Sequence, residues 1–235
     1  MPFSDDQGAP LERISLAQRP ADGYEFDVLE AIRYDDPVDG ISYRAQPQAT
    51  DLASVPMFLW SFIASYGRQS APAVLHDAQS RAADELGDRE ATLVRRRVDD
   101  RVFRTALREQ GVPLLRAWLM WSWVSADRTI RYSAPGIGLL LVLQTLVGAG
   151  LVIAAAVLAS TSPWWLLLAL VPAVLALPWG AERLLMVWLP YSAAAFGPLV
   201  LLHLIALVPF RLVEAVVEFV SGGRPADVVR PTFRA

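Results

Sequence analysis

The sequence predicts a small α+β soluble domain, a β-hairpin plus about four helices, fused to an α-helical membrane region of two or three spans. Two observations carry this expectation. The apolarity of the chain sits at one end: within residues 135–210 the only charged side chains are the adjacent Glu182 and Arg183. The stretch before it holds most of the Asp, Glu and Arg, and there the hydrophobic spacing passes from alternation to helical periodicity. With 54% hydrophobic residues and a mean hydropathy of +0.35, the chain is too apolar on average for an ordinary globular protein. The expected division is a soluble domain over residues 1–133, a membrane region over 134–210, and an amphipathic helix with a polar tail over 211–235.

The soluble elements follow in order. Residues 24–32 alternate imperfectly and, with 41–45, flank Asp35-Asp36-Pro37-Val38-Asp39-Gly40, a strong turn signal, so the two arms read as a β-hairpin. From Ser54 the pattern turns helical: Pro56 suits a first turn, and Phe58, Leu59, Phe62 and Ile63 make an apolar face. Three more helices are expected near 72–86, 89–110 and 113–126, the last two separated by Gly111-Val112-Pro113 as a stop and restart. The last, with Trp118, Trp121 and Trp123, is expected to rest on the membrane surface and lead into the first span.

Residues 136–159 are uncharged, and at about 1.5 Å per residue they are long enough to cross a ~30 Å hydrocarbon core. Ser160-Thr161-Ser162-Pro163 turns the chain, and residues 164–179 run back with tryptophans at both ends, as an interfacial belt would have them. So short a connector joins antiparallel neighbours, which makes a helical hairpin. Arg128 and Arg131 precede the first span, Arg183 follows the second, and the connector has no charge, so the positive-inside rule puts the soluble domain in the cytoplasm. Residues 184–210 are broken by Pro190, Gly197-Pro198 and Pro209 and read either as a kinked third helix or as interfacial helices. Arg211, Glu214 and Glu218 share one helical face, which favours an amphipathic helix on the membrane. His203 reads as a helix-packing residue or, alternatively, a proton relay. Residues 1–27 have no apolar core, so the first span is expected to act as its own insertion signal.

Composition excludes several functions. A net charge of −3, with Arg95-Arg96-Arg97 followed at once by Asp99 and Asp100, gives no nucleic-acid footprint; the partner expected is the lipid bilayer. The absence of cysteine removes disulfides, thiolate zinc sites and a Cys nucleophile. All 21 basic residues are Arg, which reads as the codon bias of a high-GC bacterium and makes the expected location the bacterial inner (plasma) membrane, multi-pass. A transporter or channel is disfavoured, because the apolar half has too few polar groups to line a pathway.

Three places could carry chemistry: residues 50–56 (Thr-Asp-Leu-Ala-Ser-Val-Pro), His76-Asp77 after Ala73-Val74-Leu75, and Asp99-Asp100-Arg101-Val102-Phe103. His76 and Asp77 follow an apolar run, where a His beside a carboxylate is costly unless paired. Asp100 lies on the next helix, which returns antiparallel, so it can face His76 and orient the imidazole as a general base.

These motifs, with the Asp-Pro and Gly-Ile-Ser-Tyr of the hairpin, Phe58-Leu59-Trp60, Tyr66-Gly67-Arg68 and Gly111-Val112-Pro113, resemble over residues 24–123 the phage- and actinobacteria-associated domain of unknown function 1353. The resemblance implies a small α+β domain and no established activity. His-Asp on one helix and Asp-x-x-Phe on the next is also similar, more distantly, to the two-helix core of phospholipase A2-like proteins. That resemblance implies His76 as the base that activates water, Asp100 as its orienting partner, and Asp77, with Asp51 as a further ligand, holding calcium to stabilise the oxyanion of ester hydrolysis. Phospholipase cores carry a Tyr four residues after the His, where this chain has Ser80, and a Gly-rich calcium loop, whose place residues 50–56 would take.

Two functions stay open on these residues. One is a membrane-anchored, calcium-dependent (phospho)lipid-ester hydrolase at the cytoplasmic face. The other is a non-enzymatic, phage-derived accessory or membrane-interaction protein, in which His76, Asp77 and Asp100 form a polar cluster that fixes how two helices meet and Asp51 and Ser54 cap the helix that follows.

Overall fold

The computed structural model describes residues 2–19, 25–52, 63–64, 66–225 and 228. Six short strands come first: β1 (Phe3–Ser4), β2 (Leu16–Arg19), β3 (Glu25–Val28), β4 (Ile32–Asp35), β5 (Ser42–Ala45) and β6 (Ala49–Thr50). They form two antiparallel three-stranded sheets, ordered β1-β4-β5 and β2-β3-β6.

The expected hairpin is thus interrupted: its first arm is divided between β3 and β4 of different sheets, its second arm is β5, and β3 pairs instead with β6 further on. Ile32 opposes Ala45, whereas Asp27 opposes Ala49, so the register slips by one residue between the two ladders. The slip falls at Gln46-Pro47-Gln48, and Pro47 has no N–H to give to a ladder. At the other end the turn is as expected. Gly40 takes φ +70°, Ile41 N donates to Asp39 Oδ1 at 2.8 Å, and Tyr34 stands opposite Tyr43.

Three helices follow the strands: α1 (Ser70–Asp84) and α2 (Arg89–Glu109), which share a core with them, and α3 (Leu114–Tyr132), which packs on α2. Their starts and stops have local causes. Asp88 caps α2 by accepting from Ala91 N at 2.7 Å, after Gly87 at φ +68° has turned the chain. Arg68 and Arg108 donate to the carbonyls of Gly111 and Val112 at 2.9 and 2.6 Å, holding the stop between α2 and α3. The helix expected from Ser54, with Pro56, Phe58, Leu59 and Phe62, lies outside the described residues; Ile63 packs against the cluster of Ala73, Phe103 and Leu107.

The core between sheet and helices is Phe3, Ile32, Tyr34 and Tyr43 against Val74, Leu75, Val102 and Ala106. A second tie is polar. Arg101 on α2 reaches the hairpin turn and donates to Asp36 Oδ2 and Asp39 Oδ2, each at 2.7 Å. Tyr34 donates its hydroxyl to Glu109 at 2.6 Å, and burial together with that bond pushes its pKa above the usual tyrosine range.

The apolar half begins with α4 (Pro135–Leu158). The return leg was expected as one apolar helix, but it is a 3₁₀ stretch (Pro163–Leu170), a single turn and a bit of α-helix, α5 (Val171–Leu175), and a second 3₁₀ stretch (Leu177–Glu182). Pro163, Pro172 and Pro178 remove N–H groups that a regular α-helix would need. The tighter winding rises about 2.0 Å per residue against 1.5 Å, so the shorter leg still returns over the height of α4. Gln144, the polar side chain midway along α4, bridges the two legs by donating to Leu175 O at 2.9 Å and accepting from Trp179 Nε1 at 3.0 Å.

The long helix that follows is α6 (Arg183–Val220), 38 residues of continuous helix through Pro190, Pro198 and Pro209. Residues 211–220 therefore prolong the third apolar helix, and Arg211 pairs with Glu214 at 2.7 Å on their shared face. Among the described residues two helices, Pro135–Leu158 and Leu177–Val220, are long and apolar enough to cross a membrane. Their most apolar windows are 22% and 0% buried, so protein covers little of that surface. The two halves meet at tryptophans. Trp118 stacks on Trp188 of α6 with ring centroids 5.4 Å apart, and Arg104 sits over Trp118 and Trp121 at 4.2 and 4.9 Å. Two of the three tryptophans expected on a membrane surface are thus half-buried in contacts with other side chains, and Trp123 is the strongly exposed one of the three, at 58%.

Candidate functional site

α1 and α2 form an antiparallel helical pair, which brings residues of early α1 against residues of mid α2. His76 Nε2 lies 2.9 Å from Asp100 Oδ1, and the His76 ring packs on Phe103 with centroids 4.8 Å apart. Both side chains are buried, His76 at 6% exposure and Asp100 at 0%.

Asp100 has further partners, and they come from α3. Its second oxygen accepts from Ser125 Oγ at 2.9 Å and from Arg128 Nη1 at 2.6 Å. The other arm of Arg128 donates to Glu182 Oε2 at 2.7 Å, and Arg97 donates to Glu182 Oε1 at 2.8 Å. A continuous line of hydrogen-bonded charges therefore runs from His76 through Asp100 and Arg128 to Glu182, the acid at the base of the apolar half. Burying a carboxyl group at 0% exposure is costly without hydrogen-bond partners, and two donors on one oxygen supply them.

Asp77, one residue on, faces the other way. Its Oδ2 accepts from Thr50 Oγ1 at 2.7 Å, and that hydroxyl oxygen in turn accepts from Leu52 N at 2.9 Å. Leu52 holds φ +65°, the one non-glycine residue among those described with a left-handed backbone. Burial, and the charge of nearby Asp51, push the Asp77 carboxyl up to about 6 against the opposing pull of Thr50 and His76. Asp77 thus feels both His76 and Asp51, while its hydrogen bond goes to Thr50 and that of His76 to Asp100. Ser54 lies outside the described residues.

On α1 and α2, several buried polar atoms have no hydrogen-bond partner among the described residues: both amide atoms of Gln79, Ser80 Oγ, Arg96 Nε and Asp99 Oδ2. Gln79 and Ser80 follow His76 by one turn of α1, and burial raises Asp99 above the usual carboxylate range. Polar groups in such a state need water or another guest. Asp99 spends its other oxygen on Arg95, 3.0 Å away.

Sequence reasoning brought out His76 and Asp100 and missed Ser125, Arg128 and Glu182. Arg128 had counted only toward membrane orientation, although Glu182 gave a usable signal: a lone acid in an apolar stretch needs a cationic partner. Chemically, an imidazole whose Nε2 is held by a carboxylate has Nδ1 as its basic nitrogen, and the carboxylate stabilises the imidazolium formed when Nδ1 takes a proton.

The fold and site define a small α+β domain with a buried His–Asp pair, joined through a salt-bridge chain to apolar helices. Residues 26–124 match the model of a family described as a protein of unknown function, DUF1353. The matched span includes His76, Asp77 and Asp100 and ends before Ser125, Arg128 and Glu182, so the salt-bridge connection to the apolar half lies beyond it. No curated protein and no solved structure matches the chain.

Proposed function

We propose that the chain is a membrane-anchored hydrolase of ester bonds, acting on lipid at the cytoplasmic face of a bacterial inner membrane. The observation that carries the reading is the 2.9 Å contact between His76 Nε2 and Asp100 Oδ1, with Asp100 fixed from behind by Ser125 and Arg128. In this reading His76 Nδ1 takes a proton from water as the water oxygen bonds to the ester carbonyl carbon. The tetrahedral intermediate then collapses, the carbon–alkoxide bond breaks, and the imidazolium returns the proton to the departing oxygen. The uncovered apolar helices support the membrane location, since a bilayer is what would cover them.

The calcium that the phospholipase resemblance implies would rest on Asp77 and Asp51. Calcium takes about six to eight oxygens, whereas among the described residues no three acidic or imidazole side chains converge to hold a metal. Asp77 is moreover drawn toward its neutral form and already accepts from Thr50. These residues do not by themselves make a calcium site, and the reaction above routes no step through one.

A second reading has its own observation. Arg128 bridges Asp100 to Glu182, so the His–Asp pair is also part of the joint between the two halves. On that reading the chain is a non-enzymatic, phage-derived accessory or membrane-interaction protein, and His76 fixes helix packing. One experiment separates them: hydrolysis of short- and long-chain glycerophospholipids by the full chain in mixed micelles, with and without calcium, for wild type, His76→Ala and His76→Gln. Turnover in wild type that vanishes in both variants while their melting temperatures stay within a few degrees supports the hydrolase. A folded wild type without turnover leaves the accessory reading.

A further inference from the structure

A cavity of about 800 Å³ opens where the start of α2, the end of α3, the start of α4 and the second 3₁₀ stretch meet. It is separate from the His76 pair and shares only the Glu182 end of the salt-bridge chain. One side of its lining is charged, with Arg89, Glu90 and Arg97; the other is apolar, with Ile137, Leu140 and Trp179. The apolar residues belong to the first turns of α4 and the last residues of the return leg, both at the end of the apolar half that touches the soluble domain.

We infer that this cavity binds one glycerophospholipid whose headgroup carries both a phosphate and a primary ammonium. The inference rests on the apolar helices being inserted in a bilayer, and not on the hydrolytic reading. The cavity straddles a polar layer and an apolar layer in the order in which a phospholipid presents them. Its volume lies in the range of ligand sites and suits a headgroup with the first carbons of its chains. The remaining chain length runs down the same face of α4, where Ile137, Leu140 and Val147 are exposed at 42%, 49% and 59%.

Charge decides the headgroup. The lining has the guanidiniums of Arg89 and Arg97 against the carboxylates of Asp88, Glu90 and Glu182, an excess of one negative charge that disfavours a net-anionic lipid. Arg89 is held in place by the carbonyls of Arg131, Tyr132 and Ser133 and retains its charge for a phosphate. Arg97 pairs with Glu182, but its side chain is 44% exposed and remains open to a second anion. Asp88 is engaged in capping α2, which leaves the exposed Glu90 to receive a cation. A primary ammonium offers three N–H donors to that carboxylate, and a choline offers none.

The test is native mass spectrometry of the full chain released from detergent micelles supplied in turn with phosphatidylethanolamine, phosphatidylcholine and phosphatidylglycerol. Wild type should retain one phosphatidylethanolamine at least tenfold better than the other two. Leu93→Trp, which fills the cavity from α2, should lose that retention, and the exposed substitution Glu90→Gln should erase the preference over choline without changing the melting temperature. Equal retention of the three lipids by wild type, or a preference unchanged in Glu90→Gln, overturns the inference. A separate extraction of host membranes at alkaline pH tests the premise: a chain that washes off sinks the membrane reading, whereas one that stays and shows no lipid preference sinks only the cavity.

Discussion

Arg128 Nη1 lies 2.6 Å from Asp100 Oδ2 with both side chains buried, and the same guanidinium reaches Glu182 at 2.7 Å. One arginine thus answers two acids, one in the domain that carries His76 and one in the apolar half. Removing it leaves two carboxylates facing the gap, and breaking a buried pair in this way costs on the order of 3–5 kcal/mol. Arg128→Ala should therefore unfold at clearly lower denaturant in detergent micelles. Glu182→Gln should cost less, because Arg128 keeps Asp100. Combining the two should cost less than their sum, since both act on one chain of contacts.

The clamp on the hairpin turn makes a second expectation. Arg101 donates to Asp36 and Asp39 through different nitrogens, which lysine cannot reproduce with a single ammonium. Arg101→Lys should cost about 1–2 kcal/mol. Hydrogen exchange should speed up at the amides of residues 36–41, while α1 amides keep their protection.

How much of this could be read from the sequence depends on the range of the cause. The helices near 72–86, 89–110 and 113–126 and the tight turn at 35–40 were legible because periodicity, the Gly111-Val112-Pro113 break and Gly40 act within a few residues. The facing of His76 and Asp100 was legible as well, since it follows from two helices joined by a short turn. The register slip at Pro47 and the 3₁₀ return leg were not read, although the prolines stood in plain sight, because their effect depends on what the neighbouring strand or helix demands. Arg128 and Glu182 are 54 positions apart, and only the docking of the two halves brings them together.

Asp77 gives a pH signature. Its carboxyl is pushed up to about 6, well above the ordinary aspartate value, mainly by burial. A group raised in the folded state contributes stability that is complete below about pH 4 and is lost as pH rises through 6. At about 1.4 kcal/mol per unit, the ionised form costs roughly 3 kcal/mol at neutral pH. Asp77→Asn keeps an acceptor for the Thr50 hydroxyl and removes the titration. Its melting temperature relative to wild type should climb between pH 4 and pH 7 and then level off; a difference that stays flat across that range would show that Asp77 titrates normally.

Two glycines of α4 should behave in opposite ways. A Cβ built on Gly148 would stand 2.8 Å from Pro190 Cβ and 3.3 Å from Pro172 Cβ, whereas one on Gly150 meets nothing within 4 Å. Proline rings cannot swing aside as a long side chain can, so Gly148→Ala must push α6 and α5 away from α4, at about 1–3 kcal/mol. Small residues at such crossings let apolar helices approach closely enough for dispersion and packing to hold them, which matters most where no hydrophobic effect drives them together. Gly150→Ala carries no clash and gains helix propensity, up to about 1 kcal/mol. Thermal unfolding of the two variants in the same detergent therefore reads the packing directly: a loss for Gly148→Ala beside a neutral or raised value for Gly150→Ala locates the contact at the Pro190 crossing. Equal effects would mean that the helices pack elsewhere, and that Glu182 rather than the crossing holds the apolar half to the domain.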